Sequence, residues 1–302
     1  MILTKDMMVV ARDRNGLRPL ALGKLGDAYV VASETCAFDL IGAEYVRDVE
    51  PGEILFITNN GIEEDTFAEQ DKRTMCAMEY VYFARPDSNI DGVNVHMARK
   101  RMGKELAREV AGIEADVVTG VPDSSLSSAI GFAEESGIPY ELGLIKNRYV
   151  GRTFIQPTQE LRERGVKMKL SPVVQVVKGK RVIMVDDSIV RGTTSRRIVR
   201  LLKEAGAAEV HVMITSPPMT NPCFYGIDTS TPEQLIASSH SVDEIRQAIE
   251  ADTLTFLSAE GMVRATARPF DDPDGGLCMA CFTGKYPTEI FPDTVLPHEK
   301  EC

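Results

Sequence analysis

The sequence predicts an α/β protein: a parallel sheet wound with helices, preceded by a smaller piece of antiparallel β-structure. Three observations carry that prediction. Beyond Asp71, short apolar runs alternate with helical patterns, and strands alternating with helices imply parallel pairing through crossovers. The run Val182–Val185 ends in two adjacent carboxylates, Asp186 and Asp187, and a Gly/Ser/Thr loop then leads into the helical pattern TSRRIVRLLKEAG. Residues 2–62, by contrast, hold only short strand-like runs between turn signals.

Taken in order, MMVVA, PLALG, AYVVAS and EILFIT are cut by RNG, GD and EPGE turns. They are expected to pair antiparallel, with CAFDLIG inserted as a short helix. Such elements make a poor domain alone and read as part of a larger β-rich unit. The stretch NVHMARKRMGKELAREV repeats apolar residues at helical spacing over 94–110. A buried strand is expected at Asp116–Val121, then a loop and helix in VPDSSLSSAIGFAEESG, then a strand at Tyr140–Ile145. Strand Val182–Val185, helix Thr194–Ala205 and strand Glu209–Ile214 continue the alternation. A helix is expected over Val242–Leu257, before the loop PFDDPDGG and a final cysteine pair. Ligands of such sheets sit beyond the carboxyl ends of the strands. Pro122–Ser125 and Asp186–Asp187 both lie at such ends, so they should converge.

The composition excludes several classes. A formal net charge of −11 argues against a general nucleic-acid binder. No run of 18 apolar residues is present to span a membrane. The opening MILTKDMMVVARDRNG lacks the basic-then-apolar pattern of a secretory signal, so a cytoplasmic location is expected. The acidity is uneven. Between Lys146 and Arg181 ten basic residues face two acids, Glu160 and Glu163, a local +8 that leaves −19 for the remainder. A basic island just before the acid pair suits a polyanionic ligand or a solvated loop, and a loop that closes over substrate would be both.

Six cysteines are present, and in a cytoplasmic chain of this size metal ligation is a better use for them than disulfides. Cys278 and Cys281 form a C-x2-C pair. His96, His211, His240 and His298 are scattered and form no ligand or triad pattern.

The chemistry concentrates in VIMVDDSIVRGTTS. A helix N-terminus presents backbone N–H groups and a favourable dipole to an anion. Two adjacent acids can grip ribose hydroxyls or a divalent cation. In residue type, order and context this segment resembles the signature of phosphoribosyltransferases that use 5-phosphoribosyl-1-pyrophosphate (PRPP). With the PDSS turn, GLIKNRYVGRTFIQPTQELR, ARDRNGLRPLALG, CAMEYVYFARPDS and CFTGKYPTEI, the chain resembles the glutamine PRPP amidotransferase (amidophosphoribosyltransferase) family over essentially all its length.

The resemblance implies a type I phosphoribosyltransferase sheet preceded by part of an N-terminal-nucleophile glutaminase β-sandwich. The expected boundaries are 1–70 for the glutaminase remnant, 71–270 for the phosphoribosyltransferase domain and 271–302 for a C-terminal segment. The implied activity is that of de novo purine biosynthesis: ammonia, normally drawn from glutamine, attacks C1 of PRPP to give 5-phosphoribosylamine and pyrophosphate. Carried over by position, Asp186, Asp187, Ser188, Arg191, Gly192, Thr193 and Thr194 would hold PRPP, with Arg191 equally able to point to solvent. Ser124, Asp186 and Asp187 would lie around Mg2+. Lys146, Arg148 and Arg152 would belong to a loop, Lys146–Lys169, that orders over the substrate and excludes water. No general base is expected, because ammonia is already nucleophilic and pyrophosphate leaves with metal help; positioning and charge stabilisation should dominate. Cys76, Cys223, Cys278 and Cys281 match the positions that hold a structural [4Fe–4S] cluster in one subfamily. Four thiolates suit such a cluster or tetrahedral zinc, and spacing alone does not separate them. Cys36 and Cys302 match no ligand position. The family also implies a homo-oligomer, a tetramer, under purine-nucleotide feedback.

One departure stands out. The glutaminase needs an N-terminal cysteine whose own amine is the base, whereas this chain opens Met1-Ile2 and its first cysteine, Cys36, sits in ASETCAFD. Glutamine hydrolysis is therefore expected to be absent from this polypeptide. Truncation is favoured over a split gene or an ammonia-dependent enzyme, since half a sandwich exposes its core face and strand edges. The competing functions are a salvage phosphoribosyltransferase and a non-catalytic PRPP- or nucleotide-binding regulator. The four cysteines and the β-rich piece argue against the first, and the intact basic loop against the second.

Overall fold

The computed structural model describes residues 1–68, 72–147, 170–227, 229, 231–268 and 273–290. The N-terminal part consists of short strands in the expected order. They are β1 (Ile2–Leu3), β2 (Met8–Ala11), β3 (Ala21–Leu25), β4 (Ala28–Ala32), β5 (Glu44–Asp48), β6 (Glu53–Thr58) and β7 (Gly61–Thr66), with helix α1 (Cys36–Ile41) between β4 and β5. They form two antiparallel sheets, ordered β1-β2-β6-β7 and β4-β3-β5. Val10, Leu22, Val49, Leu55 and Ile57 give the two sheets one small shared core. Strand β1 is an edge, with Ile2 and Leu3 exposed.

Past this unit come β8 (Met75–Cys76), a π-helical turn at Glu79–Phe83, and the hairpin β9 (Asn89–Ile90) and β10 (Val93–Asn94). Helix α2 (Val95–Glu109) starts at Asn94, whose side chain accepts from Met97 N–H as an N-cap. Strand β11 (Val117–Gly120), α3 (Leu126–Ser136), β12 (Leu144–Lys146), β13 (Leu170–Pro172) and the short α4 (Val174–Val177) follow. Next come β14 (Arg181–Asp186), α5 (Thr193–Glu204), β15 (Glu209–Ile214), α6 (Val242–Ala248), β16 (Thr253–Phe256), α7 (Ala259–Thr266), β17 (Leu277–Cys278) and α8 (Ala280–Thr283).

The central sheet is parallel throughout, ordered β11-β14-β15-β16. Strand alternation sends its side chains to two cores. Val118, Ile183, Val185 and Met213 pack with α2, α3 and α7, whereas Val117, Val182, Met184, Val210, Val212 and Ile214 pack with α5 and α6. Helices α2 and α3 touch through two glycines: a Cβ at Gly103 would stand 1.9 Å from the Ser128 carbonyl oxygen, and one at Gly131 1.9 Å from that of Lys100.

Two expectations are corrected. The helix expected over Val242–Leu257 ends at Ala248, Glu250 turns the chain at φ +63°, and Thr253–Phe256 becomes the fourth parallel strand. The β-branched TLTF run and the bond from Val210 N–H to Asp252 Oδ2 favour that pairing. The strand expected over Tyr140–Ile145 is reduced to a bridge between Tyr140 and Val118 plus β12, which pairs antiparallel with β13. Between them a turn at Gly143 packs on Thr119, whose hydroxyl accepts from the glycine N–H. No helix among the described residues is long and apolar enough to cross a membrane.

Candidate functional site

From β11 the chain crosses over α3 to Tyr140 on one side of that strand and later returns on its other side as β14. Strand order therefore reverses at β11, and a reversal opens a crevice beyond the strand ends. The turn after β11 and the acid pair after β14 meet there. Ser124 Oγ donates to Asp187 Oδ1 at 2.6 Å, Ser125 Oγ to Asp186 Oδ1 at 3.0 Å, and Ser188 Oγ to Asp187 Oδ2 at 2.7 Å. The Pro122–Asp123 peptide is cis.

A cavity of about 490 Å³ lies against this cluster, lined by Ser124, Asp186, Asp187, the run Ser188–Ser195 and Thr229. Gly192 takes φ +73°, the left-handed region that glycine enters without strain, and turns the chain into α5. The first N–H groups of that helix have no intrahelical acceptor, so the wall formed by Thr193–Ser195 is a donor surface for an anion. Asp186 and Asp187 are both nearly buried. Burial, then the adjacent Asp187 charge, pushes the Asp186 carboxyl well above its usual range, against the bonds from Asp187 N–H and Ser125. A divalent cation or a ring of ligand hydroxyls would reverse that balance.

The sequence-derived residues Ser124, Asp186, Asp187, Ser188, Arg191, Gly192, Thr193 and Thr194 thus share one cavity wall. Arg191 turns its guanidinium to Gln234 Oε1 at 2.6 Å. Lys146 instead lines a second cavity of about 430 Å³ with Tyr82, Phe83, Arg85, Arg99, Asp123 and Ser124, and its Nζ reaches Asp123 Oδ2 at 2.5 Å. Arg148 and Arg152 lie outside the described residues, as does Cys302.

Sequence reasoning missed Arg99. This guanidinium is buried, donates to the carbonyls of Tyr80 and Ala84, and feels the Asp187 charge, while burial holds its pKa below the ordinary value. A signal was available: Arg99 falls on the apolar stripe Val95, Ala98, Met102 and Leu106 of α2, where a charge needs a reason. Ser125 fell within the Pro122–Ser125 turn expected to meet the acid pair, whereas Thr229, a lone small residue lining the first cavity, was missed.

Of the four expected cysteines, Cys281 feels the charges of Cys76, Cys278 and Cys223, so the four lie near one another. Cys278 stands opposite Cys76 in the β17–β8 pairing, and the Cys281 carbonyl accepts from Thr220 and Asn221 N–H groups at 3.0 Å each, drawing in the loop that bears Cys223. Tyr225 N–H donates to Cys223 Sγ at 3.3 Å. All four thiols are free, as is Cys36, which lies apart beside Glu34. Burial pushes Cys76 up to about 12 and raises Cys278 and Cys281, and the cysteines oppose one another's ionisation. A soft cationic group would remove both penalties by binding the thiolates. Among the described residues no three His, Cys, Asp or Glu side chains form a site for a single metal ion.

Comparison with known proteins agrees with this geometry. Residues 91–219 match the model of the phosphoribosyl transferase domain. The chain is similar to the amidophosphoribosyltransferase of Bacillus subtilis strain 168, at 69% identity over all 302 residues. It is also similar to that of Staphylococcus aureus strain Mu50, at 54% over 291 residues. It spans 63% and 59% of the lengths of these relatives. Among solved structures it superimposes on glutamine PRPP amidotransferase from B. subtilis complexed with ADP and GMP, with a TM-score of 0.92 and 69% identity, covering 99% of this chain and 65% of that one. A structure described as the allosteric regulatory enzyme of purine biosynthesis gives a TM-score of 0.93 at the same identity, covering 64% of that chain.

Proposed function

We propose that this chain carries the phosphoribosyl-transfer half of an amidophosphoribosyltransferase of purine biosynthesis, a glycosyltransferase that joins ammonia to C1 of PRPP. The observation that carries this reading is the meeting, at a strand-order reversal, of a buried acid pair with a donor-lined helix N-terminus. The domain boundaries 1–70, 71–270 and 271–302 are part of the proposal.

In this reading the Ser188–Thr194 wall holds the 5′-phosphate, and Asp186 and Asp187 hold the ribose hydroxyls. Ser124, which lines both cavities, already donates to Asp187, so Mg2+ would be held by Ser124, Asp186 and Asp187 through few protein oxygens. A cation bound there would supply charge neutralisation for the pyrophosphate. Arg99, Lys146 and Arg85, which line the second cavity, are placed to stabilise the departing pyrophosphate. The C1–O bond to pyrophosphate breaks, the C1–N bond forms, and the surplus proton of the new amine leaves to solvent. The chain's part is orientation and charge, with no side chain needed as a base.

Cys76, Cys223, Cys278 and Cys281 would hold a [4Fe–4S] cluster, which would pin together β8, β17 and the 220–223 loop as a structural brace. Purine nucleotides are the fitting effectors, given ADP and GMP in the B. subtilis relative. A cytoplasmic homo-oligomer, a tetramer, completes the reading.

The decisive experiment measures pyrophosphate release from PRPP and Mg2+ with ammonium, glutamine or free purine bases as acceptors. Ammonium is expected to support release. Release only with a base would replace this reading with salvage chemistry, and PRPP binding without turnover would replace it with a regulator.

A further inference from the structure

Residues 82–86 line the second cavity in one unbroken run, beside Arg99 and Lys146. Past the π-helical turn no helix or strand holds residues 84–88, so hydrogen bonds to other elements must fix this wall. Helix α2 takes its carbonyls: Arg99 Nη2 donates to that of Ala84 at 2.8 Å, and His96 N–H to that of Pro86 at 2.9 Å. The donors are taken from the N-terminal β-unit. Arg85 N–H and Ser88 Oγ donate to Glu34 Oε2 at 2.7 and 2.8 Å, and Asn89 N–H donates to Thr35 Oγ1 at 2.9 Å. Glu34 and Thr35 precede α1, where a threonine hydroxyl ordinarily caps its own helix. Thr35 is the N-cap residue, yet its side chain makes no capping bond. Both side chains are spent instead on a segment 51 to 54 residues away. Bonds to a carboxylate are the strong ones, and Glu34 accepts two of them on one oxygen. The Arg85 guanidinium donates to Asp87 Oδ2 at 2.9 Å, so what Glu34 fixes is the Arg85 backbone.

We infer that Glu34 is a positioning residue for the pyrophosphate half of PRPP: by accepting from Arg85 N–H and Ser88 Oγ it sets the 84–86 wall of the second cavity. The inference rests on the PRPP reading of the two cavities. It gives the N-terminal β-unit a part in the phosphoribosyl-transfer site itself. The first cavity, lined by the acid pair and the 188–195 run, includes none of these residues, so the effect is confined to one half of the substrate.

The test compares wild type with Glu34→Ala, which removes the acceptor, and Glu34→Gln, whose amide oxygen can accept the same two bonds. Binding of PRPP and of ribose 5-phosphate, which lacks the pyrophosphate, is measured by calorimetry with Mg2+. Glu34→Ala is expected to weaken PRPP about tenfold while ribose 5-phosphate stays within about twofold, because only the wall facing pyrophosphate is loosened. Glu34→Gln should restore most of the PRPP affinity. Thr35→Val, which keeps the shape and removes the adjacent anchor, should show the same selectivity at smaller size, and it serves if Glu34→Ala does not fold. Unchanged PRPP binding in Glu34→Ala overturns the proposal. Equal weakening of both ligands does so too, since it would mark a general structural role, as would a Glu34→Gln chain no better than Glu34→Ala. Failure of the wild type to bind either ligand would instead overturn the reading on which the proposal rests.

Discussion

Replacing Gly103 by alanine sets two physical effects against each other, and the structure decides the sign. Helix propensity alone favours alanine in a helix interior by about 1 kcal/mol. Against this, the new Cβ would lie 1.9 Å from the Ser128 carbonyl oxygen of α3 and 2.9 Å from Phe132 N. Ordinary contact begins at 3.4 Å, so α2 and α3 must part by about 1.5 Å (3.4 less 1.9). No rotamer change relieves the clash, because the obstructing atoms are backbone. Parting the helices loosens Ala98, Met102 and Leu106 from Ala129 and Phe132, all fully buried. Overpacking of this kind costs up to about 3 kcal/mol, which leaves a net destabilisation of about 2 kcal/mol. Gly131→Ala meets the Lys100 carbonyl in the same way. The double variant should cost less than the sum of the two, since one separation of the helices accommodates both methyls. Urea unfolding measures all three variants. PRPP affinity should drop as well, because the N-terminus of α3 carries Ser124 and Ser125 to the acid pair. A Gly103→Ala chain as stable as wild type, or more so, would refute the close-approach argument and leave propensity as the controlling effect.

Three further outcomes follow from the same structure. Asp91, almost fully buried, accepts from Arg73 at 3.0 Å and from Arg268, with Arg12 at 3.8 Å. Asp91→Asn tolerates the left-handed backbone at that position but removes the buried negative charge that three guanidiniums share, so it should destabilise by about 3–5 kcal/mol in urea; a loss under about 1 kcal/mol would refute this role for Asp91. For Asp186, a folded pKa above the unfolded value means that the folded, ligand-free chain binds the extra proton. Its contribution is present at low pH and is lost as pH rises through the raised pKa. Asp186→Asn should therefore flatten the fall in urea midpoint as pH rises toward neutrality, while weakening PRPP binding; a wild-type midpoint that climbs over that range contradicts the sign. Finally, the proposed [4Fe–4S] site predicts iron, sulfide and broad visible absorbance in the anaerobically purified chain and their loss in Cys281→Ser; an unchanged iron content would exclude Cys281 as a ligand.

Local patterns were legible where one stretch of chain carries both structure and chemistry. The acid pair, the small-residue loop and the helix start fall within fourteen consecutive residues, so a single periodicity switch marks them. The helical spacing over 94–110 was equally plain, and α2 forms there. One misread segment was Val242–Leu257, where short apolar runs fit helix and strand alike, and β16 pairs with the edge of β15. Arg99 and Thr229 escaped because their meaning lies in what surrounds them. An arginine on an apolar stripe and a lone threonine become informative only through the cavity walls they form.

By itself the sequence determined the sheet type, the acid pair with its small-residue loop and the Cys278–Cys281 pair, because each depends on residues close together in the chain. Tertiary structure alone decided that Ser124 would donate to Asp187 and Ser125 to Asp186, across 63 and 61 residues. It decided too that Cys76 would stand beside Cys278. Those pairings are set by strand order and by how closely two glycine-notched helices approach. Both are properties of packing over long separations, which no local run of residues records.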